Sequence, residues 1–382
     1  MRFEALLDQT LTELRSGSLL REPDDGSARR GVALAAERLG LPPLDASSND
    51  YLGFAARPVS RETLGNPGAA ASRLIYGSTP EHLELESELA AWVGAESALL
   101  FSSTYAANLG LLSALGTPGS VILSDSANHA SLIDGARLSK AEVRVLPHLD
   151  LAALSGALKE HRGARACWVV TESYFSMDGD GPDLAALRAL CDQHDACLIV
   201  DEAHALGVFG DSGSGRCAEA GIEADILVGA LGKAVGTHGG FVAGSRKLRT
   251  FLWNKARSFV FSTAPSPQLS DLTRIHVQLT READALRARL ADNAAQLRVE
   301  LQAGQLPLAG NSFGPIVSVI LGENERVLAA AQRLRETGIL AQAIRPPTVP
   351  VGASRLRLTV KATFTRAEIS RLARAVKEAC AS

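Results

Sequence analysis

Asp201 and Lys233 are the residues of this sequence whose surroundings best suit covalent and acid–base chemistry. Asp201 follows the apolar run ACLIV and opens the segment DEAH, while Lys233 follows the apolar run DILVGAL and precedes the glycine-rich segment GTHGG. Open α/β sheets bind ligands at the carboxyl ends of their strands, so both residues lie where a site is expected. A lysine buried there must pair with an anion, lose its proton or form an imine.

A pyridoxal phosphate (PLP) site accounts for both residues. In such a site a lysine holds the cofactor as an imine, and a carboxylate keeps the ring nitrogen protonated so that the ring withdraws electrons from the substrate. Asp201 suits the carboxylate role, and His204 suits a contact with the ring hydroxyl. A structural interpretation, in which Asp201 caps a turn and His204 bonds to backbone, is equally open from these residues alone.

Two other enzyme classes share parts of this pattern, but the sequence lacks the segments that each of them needs. The segment DEAH also occurs in nucleotide-driven helicases, but the segment around Lys233 has the wrong glycine spacing for a P-loop and follows the acidic box. A nicotinamide-dependent oxidoreductase would need a G-x-G-x-x-G segment after an early strand, and the sequence has none.

The elements that must position these residues form an α/β pattern. Between about residues 105 and 230, short apolar runs rich in β-branched residues alternate with helical patterns, which is typical of a sheet covered on both faces. The predicted strands are SVILSD, AEVRVLP, ACWVVTE, ACLIVDE and DILVGAL, followed after Lys233 by the strand-like runs GGFVAG and SFVFST. A long helical stretch from about Pro267 to Ala303 is interpreted as a bridge to another domain.

The last eighty residues have a different pattern. The runs GPIVSVIL, ILAQAI and SRLRLTV alternate with helices at about 324–337 and 366–380, which predicts a small α+β domain. Thr365 and Glu368 are spaced as a capping box at the start of the last helix. We therefore predict an N-terminal helix and extension over 1–46, a large domain over 47–285 and a small domain over 286–382.

Composition and charge favour a small-molecule substrate. The formal net charge of -3, without a run of like charges, offers no electrostatic basis for binding nucleic acid or an anionic membrane. The sequence shows no signal peptide and no membrane-spanning run, and its five cysteines lack metal or redox spacing, so we expect a cytoplasmic protein without a metal site.

Five segments resemble the α-oxoamine synthases, which are PLP-dependent enzymes of fold type I. The resemblance runs in order over nearly the whole chain. Its segments are SNDYLG (48–53), TESYFSMDGD (171–180), DEAHALGVFG (201–210), LGKAVG (231–236) and AIRPPTVPVGASRLRLT (343–359). It implies a large, mostly parallel sheet domain, a small α+β domain at the C-terminus and a short N-terminal segment.

The resemblance also implies roles for residues around the cofactor ring. Lys233 corresponds to the lysine that holds PLP as a Schiff base, and Asp201 to the partner of the pyridine nitrogen. His204 and Ser176 correspond to neighbours of the ring oxygen. His129, in DSANHASL, corresponds to the histidine that stacks on the ring and keeps the bond to be broken aligned with the π-system.

Phosphate binding follows the family pattern less closely. Thr104 and Tyr105 lie at a predicted helix start, which offers free N–H groups to a phosphate, although the family more often has Gly-Phe there. Simple N-capping is the alternative. Ala230 stands where relatives often carry a phosphate-binding hydroxyl. Ser262 and Thr263 resemble residues that reach the phosphate of the neighbouring subunit, which implies a homodimer.

The proline-rich segment around Arg345 indicates the substrates. It is most similar to the family members that join L-alanine to pimeloyl-CoA or a pimeloyl carrier protein in biotin biosynthesis. Arg345 would bind a substrate carboxylate through its two-pronged guanidinium, with Thr348 close by, and Arg21 would contact the acyl substrate. Two alternatives are another α-oxoamine synthase, such as one that uses glycine and acetyl-CoA, and a protein of this fold that has lost catalysis and serves in binding.

Overall fold

The computed structural model describes residues 3–21, 26–59 and 64–381, in which helices and strands alternate along most of the chain. The helices are α1 Phe3–Ser16, α2 Ser27–Arg38, α3 Arg73–Tyr76, α4 Pro80–Trp92, α5 Thr104–Leu115, α6 Ala130–Leu138, α7 Leu151–Glu160, α8 Leu184–Gln193, α9 Arg216–Glu219, α10 Arg246–Lys255, α11 Arg257–Val260, α12 Pro267–Arg281, α13 Asp284–Ala303, α14 Asn324–Glu336 and α15 Arg366–Ala381. The strands are β1 Leu44–Asp45, β2 Ser97–Phe101, β3 Val121–Asp125, β4 Glu142–Leu146, β5 Cys167–Glu172, β6 Cys197–Asp201, β7 Ile226–Ala230, β8 Gly240–Gly244, β9 Ile316–Gly322, β10 Ile339–Leu340, β11 Gln342–Ile344 and β12 Ser354–Thr359.

The chain divides into two compact units. The larger unit contains the described residues of 50–176 and 180–288, and the smaller unit contains those before 50, residues 177–179 and those from 289 onward. The boundaries at 46 and 285 that the sequence predicts stay a prediction. Within the described ranges, no helix is both long and apolar enough to cross a membrane.

The larger unit is built on one sheet with strand order β2-β8-β7-β6-β5-β3-β4. Strands β3 to β7 pair in parallel, whereas β8 is antiparallel to both β7 and β2. Parallel strands end at the same edge of a sheet. Because β5, β6 and β7 are neighbours, the segments that follow them meet at one edge.

Alternation along β6 explains why this sheet is covered on both faces. Ile199 packs into the apolar cluster that contains Leu111 of α5, whereas Leu198 and Val200 pack into the cluster that contains Leu187 of α8. Successive side chains of a strand point to opposite faces, so an uninterrupted apolar run needs a helix layer on each side. The sheet with two helix layers confirms the predicted α/β core.

The smaller unit contains an antiparallel sheet of order β11-β12-β9, together with a short parallel pair of β1 and β10. The last helix begins as predicted, because Thr365 N–H donates to Glu368 Oε2 at 2.7 Å and Glu368 N–H donates to Thr365 Oγ1 at 3.2 Å. This reciprocal exchange satisfies two backbone donors that the start of a helix otherwise leaves unpaired.

Three details of the sequence-based prediction need correction. The run SFVFST is not a strand, because α11 covers Arg257–Val260 and one helical turn places Phe259 in the core, 5.6 Å from the ring of Phe101, while Phe261 is exposed. The helical stretch after Pro267 is two helices, α12 and α13. Strand β2 was not predicted, since its apolar run follows closely on the apolar pattern of α4, and periodicity alone does not separate the two.

Candidate active site

Three strands of the larger unit bring Asp201, Glu172 and Lys233 to one edge of the sheet. Asp201 ends β6 and Glu172 ends β5, and the two residues are paired directly across these strands. Lys233 lies three residues beyond the end of β7, in a turn where its carbonyl accepts the N–H of Gly236 at 2.9 Å. The acid and the lysine that the sequence singled out are therefore carried by neighbouring strands.

The carboxylate of Asp201 is buried, with only 4% of the residue exposed. Its Oδ2 accepts a hydrogen bond from Asn108 Nδ2 at 2.7 Å, and its Oδ1 accepts the N–H of Ala203 at 2.8 Å. Both donors are neutral. Burial of an anion is costly unless a cation also faces it, and a protonated ring nitrogen is such a cation.

His129 is the N-cap residue of α6. Its backbone N–H donates to Glu172 Oε1 at 2.6 Å, which anchors the start of the helix to the end of β5. Its Nδ1 accepts the N–H of Ser131 at 3.2 Å and lies 2.8 Å from the Ser131 hydroxyl. The ring is thus held by its own helix turn at the sheet edge that carries Asp201.

The charges of Asp201 and Lys233 act on both Glu172 and His129. Burial, and then the negative charge of Asp201, raise the pKa of Glu172 to about 8, against the opposing effect of Lys233. The pKa of His129 is lowered, mainly because protein atoms surround its ring, although the residue as a whole is exposed. The negative charge of Asp201 raises this pKa, and the positive charge of Lys233 lowers it further. At neutral pH Glu172 is therefore largely protonated.

The residues predicted to contact the ring oxygen are both buried in the larger unit. His204 lies three residues beyond the end of β6, and its Nδ1 is 2.7 Å from the hydroxyl of Tyr51. Ser176 lies four residues beyond the end of β5. Each follows a strand that ends at the edge described above, which is consistent with the predicted roles.

The predicted phosphate-binding helix start is formed by α5. Ser103 is its N-cap residue and accepts the N–H of Ala106 at 3.0 Å, so capping does not require Thr104. The hydroxyl of Thr104 donates to the carbonyl of Gly229 at 3.4 Å. The hydroxyl of Tyr105 donates to Asp134, and its ring lies edge-on to His129.

A cavity of about 180 Å³ opens next to this helix start. Ser102, Gly239 and Thr263 are among its lining residues, and Ser262 is half-buried beside Thr263. Gly240 is needed nearby, because a Cβ there would lie 2.5 Å from the backbone nitrogen of Thr104. Thr263 therefore lines a cavity with Ser102 of its own chain, and contact with a neighbouring subunit stays a prediction.

Ala230 ends β7 and is paired with Gly240 of β8. It is buried and brings no hydroxyl to this edge of the sheet. The hydroxyl of Thr104, which reaches the carbonyl of Gly229, is the polar side chain that the structure places next to this strand end.

Arg21, Arg345 and Thr348 belong to the smaller unit. Arg345 is buried and donates from Nη1 to the carbonyl of Ser18, while Thr348 is exposed and its N–H bonds to the Arg345 carbonyl at 3.1 Å. Burial, and then the positive charge of Arg21, lower the pKa of Arg345. The two guanidinium groups are thus close enough to repel each other, and an anion between them would remove that repulsion.

The residues of the larger unit fit PLP. A lysine follows one strand end, a buried carboxylate with neutral donors ends the next, and a helix start with a close glycine approach faces a cavity beside them. Those groups match the aldehyde, the ring nitrogen and the phosphate of that cofactor. Within the described ranges, no group of three or more His, Cys, Asp or Glu residues could hold a metal ion.

Asn108 and Ser131 are the site residues that the sequence analysis missed. Both are completely or almost completely buried, and Asn108 Nδ2 donates to Ser131 Oγ at 2.9 Å as well as to Asp201. The sequence did contain a signal for Asn108, because it lies in the apolar helix AANLGLLSAL. An asparagine inside such a helix is unfavourable unless its side chain has hydrogen-bond partners.

A second polar cluster lies at the same end of the sheet. His148 is placed between two carboxylates, with Nδ1 2.7 Å from Asp125 Oδ1 and Nε2 3.2 Å from Asp180 Oδ2. Burial alone would lower the pKa of His148, but the hydrogen bonds and charges of these two carboxylates outweigh it and raise the pKa to about 10.

His148→Gln is expected to make the stability of the protein less dependent on pH. The raised pKa means that the charged ring contributes fully below its ordinary value of 6.5 and that this contribution is lost as the pH rises through about 10. The difference in free energy of unfolding between wild type and variant should therefore shrink between pH 6.5 and 10 in urea titrations followed by circular dichroism. His194→Gln, whose ring nitrogens have no partner among the described residues, is the control. A difference that is constant with pH would contradict the charged state of His148.

Comparisons with known proteins agree with this geometry. Residues 43–376 match the family model of aminotransferase class I and II. The chain is 43% identical to an 8-amino-7-oxononanoate synthase of Methylococcus capsulatus over 89% of this chain and 90% of the relative. It is 41% identical to that of Mycolicibacterium vanbaalenii over 98% and 96%, respectively.

Solved structures give the same result. A serine palmitoyltransferase of S. paucimobilis with bound PLP is 30% identical, with a TM-score of 0.85 over 88% of this chain and 87% of that chain. An 8-amino-7-oxononanoate synthase of Francisella tularensis is 27% identical, with a TM-score of 0.75 over 88% of this chain and 97% of that chain. The predicted fold type I is confirmed by these similarities.

Proposed function

Because the chain belongs to the class I and II aminotransferase family and, within it, to the 8-amino-7-oxononanoate synthases, we propose that it joins L-alanine to a pimeloyl thioester. The reaction forms a carbon–carbon bond between the α-carbon of alanine and the acyl carbonyl. It releases carbon dioxide and the free thiol of CoA or of a carrier protein. The product is 8-amino-7-oxononanoate, a precursor of biotin.

The observation that carries this proposal is that Asp201 ends a strand paired with β7, the strand that leads into Lys233. PLP, when bound, supplies an electron sink that makes the hydrogen on the amino acid α-carbon acidic. Lys233 would hold its aldehyde carbon, Asp201 its ring nitrogen, and Ser176 and His204 its ring oxygen. Thr104 and Tyr105 would hold its phosphate, and Ser262 and Thr263 would reach the phosphate in the neighbouring subunit.

The chain's own residues then have distinct tasks. Asp201 keeps a negative charge at a buried position and so holds a proton on the group that faces it. Once the amine of alanine has taken its place on the aldehyde carbon, the ε-amine of Lys233 would be free to take the proton from the α-carbon of alanine, a step that needs the lysine amine to be neutral. His129 lies beside both and keeps the reacting bond oriented through its ring.

Substrate anions are assigned to the smaller unit. Alanine and the pimeloyl group each carry a carboxylate, and Arg345 and Arg21 are cations close to one another in that unit. A guanidinium binds a carboxylate through two parallel hydrogen bonds, which suits a site that must select acids. We propose that Arg345, with Thr348 beside it, binds one of these carboxylates and that Arg21 contacts the acyl substrate.

We also propose that the protein acts as a homodimer in the cytoplasm. Ile75, Tyr76 and Phe261 are exposed by 82%, 72% and 73%, and the backbone bond from Ala264 N–H to the Ala71 carbonyl joins the two segments that carry them. An exposed apolar patch of this kind favours burial against a second copy. The five cysteines are free thiols, which is typical of a reducing compartment.

The proposed substrates are tested by comparing two amino acids and two acyl thioesters. We expect kcat/KM for L-alanine with pimeloyl-CoA to exceed that for glycine with acetyl-CoA by at least about 10²-fold, because missing methylene groups and a missing carboxylate remove binding contacts. Thiol release and the mass of the product are measured together, and a pimeloyl carrier protein replaces the CoA ester in a parallel series. Faster turnover of glycine and acetyl-CoA would identify the chain as another α-oxoamine synthase.

A further inference from the structure

We propose that Asn108 and Ser131 are positioning residues that hold the imidazole of His129 in one tautomer and connect it to the carboxylate of Asp201. The four side chains form a continuous chain of hydrogen bonds across α5, α6 and β6 in the larger unit. The catalytic role of these hydrogen bonds rests on the proposed function, in which Asp201 holds the ring nitrogen of the cofactor and His129 orients the reacting bond.

The direction of each hydrogen bond follows from Asn108. Asp201 is an acceptor only, so the amide must turn its Nδ2 towards Oδ2, at 2.7 Å. The second N–H of the same nitrogen donates to Ser131 Oγ, 2.9 Å away. A flipped amide would place its oxygen against the carboxylate, and two acceptors repel each other.

Ser131 passes this direction on to His129. Its O–H is directed to His129 Nδ1, 2.8 Å away, because that nitrogen already accepts a hydrogen bond from the backbone. The backbone N–H of Ser131 donates to the same Nδ1 at 3.2 Å. An imidazole nitrogen that faces two donors carries no proton, and the neutral ring must therefore carry its hydrogen on Nε2.

The arrangement leaves one polar atom unsatisfied. Asn108 Oδ1 is buried and has no hydrogen-bond partner among the described residues. An unpaired buried acceptor destabilises a protein, so stability of the helix does not explain an asparagine at this position. Its two donors, placed between Asp201 and Ser131, do explain it.

Charged groups around His129 do not replace this control. Glu172 accepts the backbone N–H of His129 rather than a ring hydrogen, and Asp134, Asp201 and Lys233 act on the ring through their charges. Charges influence whether the ring is protonated, but the tautomer is decided by the donors at Nδ1. A ring with fixed tautomer and fixed plane keeps its face in one orientation.

The test uses the ligand-free protein labelled with ¹⁵N-histidine. Long-range ¹H–¹⁵N spectra report which ring nitrogen of His129 carries the hydrogen, and His129→Gln identifies its signals. We expect the Nε2–H tautomer alone in the wild type and a mixture in Ser131→Ala, with the pKa of His129 higher by about 0.5 to 1 because one donor to the neutral ring is lost. Ser113→Ala, whose hydroxyl bonds to Leu109 O within α5, is the control.

Asn108→Leu extends the test to the other end of the chain of hydrogen bonds. It should give a smaller share of the Nδ1–H tautomer than Ser131→Ala does, since the Ser131 hydroxyl loses the donor that fixes it while the backbone N–H of Ser131 still faces Nδ1. Because replacement of a fully buried residue can prevent folding, Ser131→Ala carries the test if this variant does not fold. An unchanged tautomer and pKa of His129 in Ser131→Ala would overturn the proposal.

Activity separates this proposal from the proposed function. With L-alanine and pimeloyl-CoA, Ser131→Ala should lower kcat by about 10-fold with little change in KM for the thioester, because orientation rather than binding is lost. The spectra need neither substrate nor product. A protein that shows the expected tautomers but makes no 8-amino-7-oxononanoate would refute the substrates and leave the positioning of His129 intact.

Discussion

Lys233→Ala is expected to lower turnover of L-alanine and pimeloyl-CoA by at least about 10³-fold, since the variant lacks both the proposed attachment point of the cofactor and the proposed base. Lys233 is half-buried in a turn beyond β7, near the carboxyl groups of Asp201 and Glu172. Its amine is therefore set beside the two buried carboxyl groups of the site. Steady-state kinetics of the purified variant with added PLP measure the loss.

Two further variants make this result specific to the amine. Lys233→Arg keeps the positive charge and should be as inactive as Lys233→Ala, because a guanidinium neither attaches to an aldehyde nor gives up its proton near neutral pH. Lys140→Ala changes an exposed lysine and should keep wild-type rates. Borohydride reduction followed by peptide mapping should place the cofactor label on Lys233. Full turnover in Lys233→Ala would refute the whole assignment of the site.

Asp201→Asn is expected to lower kcat/KM by at least about 10²-fold, because it removes the buried negative charge at nearly constant shape. The amide of the variant can still accept the N–H of Ala203, so the turn after β6 keeps its hydrogen bond. The second group of the variant amide faces Asn108 Nδ2, which lies 2.7 Å from Asp201 Oδ2 in the wild type. Because the amide is uncharged, it can no longer hold a proton on a ring nitrogen that faces it. Kinetics with L-alanine and pimeloyl-CoA measure the effect.

An aspartate with a purely structural bond provides the comparison. Asp183 caps α8 by accepting the N–H of Ala186 at 3.0 Å, and Asp183→Asn keeps an acceptor there. We expect wild-type rates for that variant. Urea unfolding of both variants checks that they are folded at the assay temperature. Wild-type kcat/KM in folded Asp201→Asn would show that the charge of Asp201 has no part in the reaction.

Most elements of the larger unit could be predicted from local sequence because their patterns are unambiguous. The strands that carry Glu172, Asp201 and Lys233 are short apolar runs bounded by polar residues, and each is a strand in the structure. The run SFVFST failed for a physical reason. Six residues fit both a strand and a helical turn, and the burial of Phe259 next to Phe101 decides between them.

The site residues divide in the same way. Lys233, Asp201 and His204 were singled out because they follow apolar strands, and His129 and Thr104 were singled out through the resemblance. Asn108 was missed although its helix was predicted. A helical pattern gives the face on which a side chain lies but not the group that it meets, and here that group is a carboxylate 93 residues further along the chain.

The sequence by itself determined the type of most elements, the edge at which the chemistry is expected and most of the residues proposed to perform it. Only the tertiary structure decided which strands are neighbours: β5 lies between β6 and β3, and β4 is displaced to the outside. That order brings His129 to Glu172, 43 residues away, and the packing of the segment after β1 brings Tyr51 to His204, 153 residues away. Local propensities act over a few residues, whereas strand order and side-chain partners are set by the packing of the whole sheet and its helices.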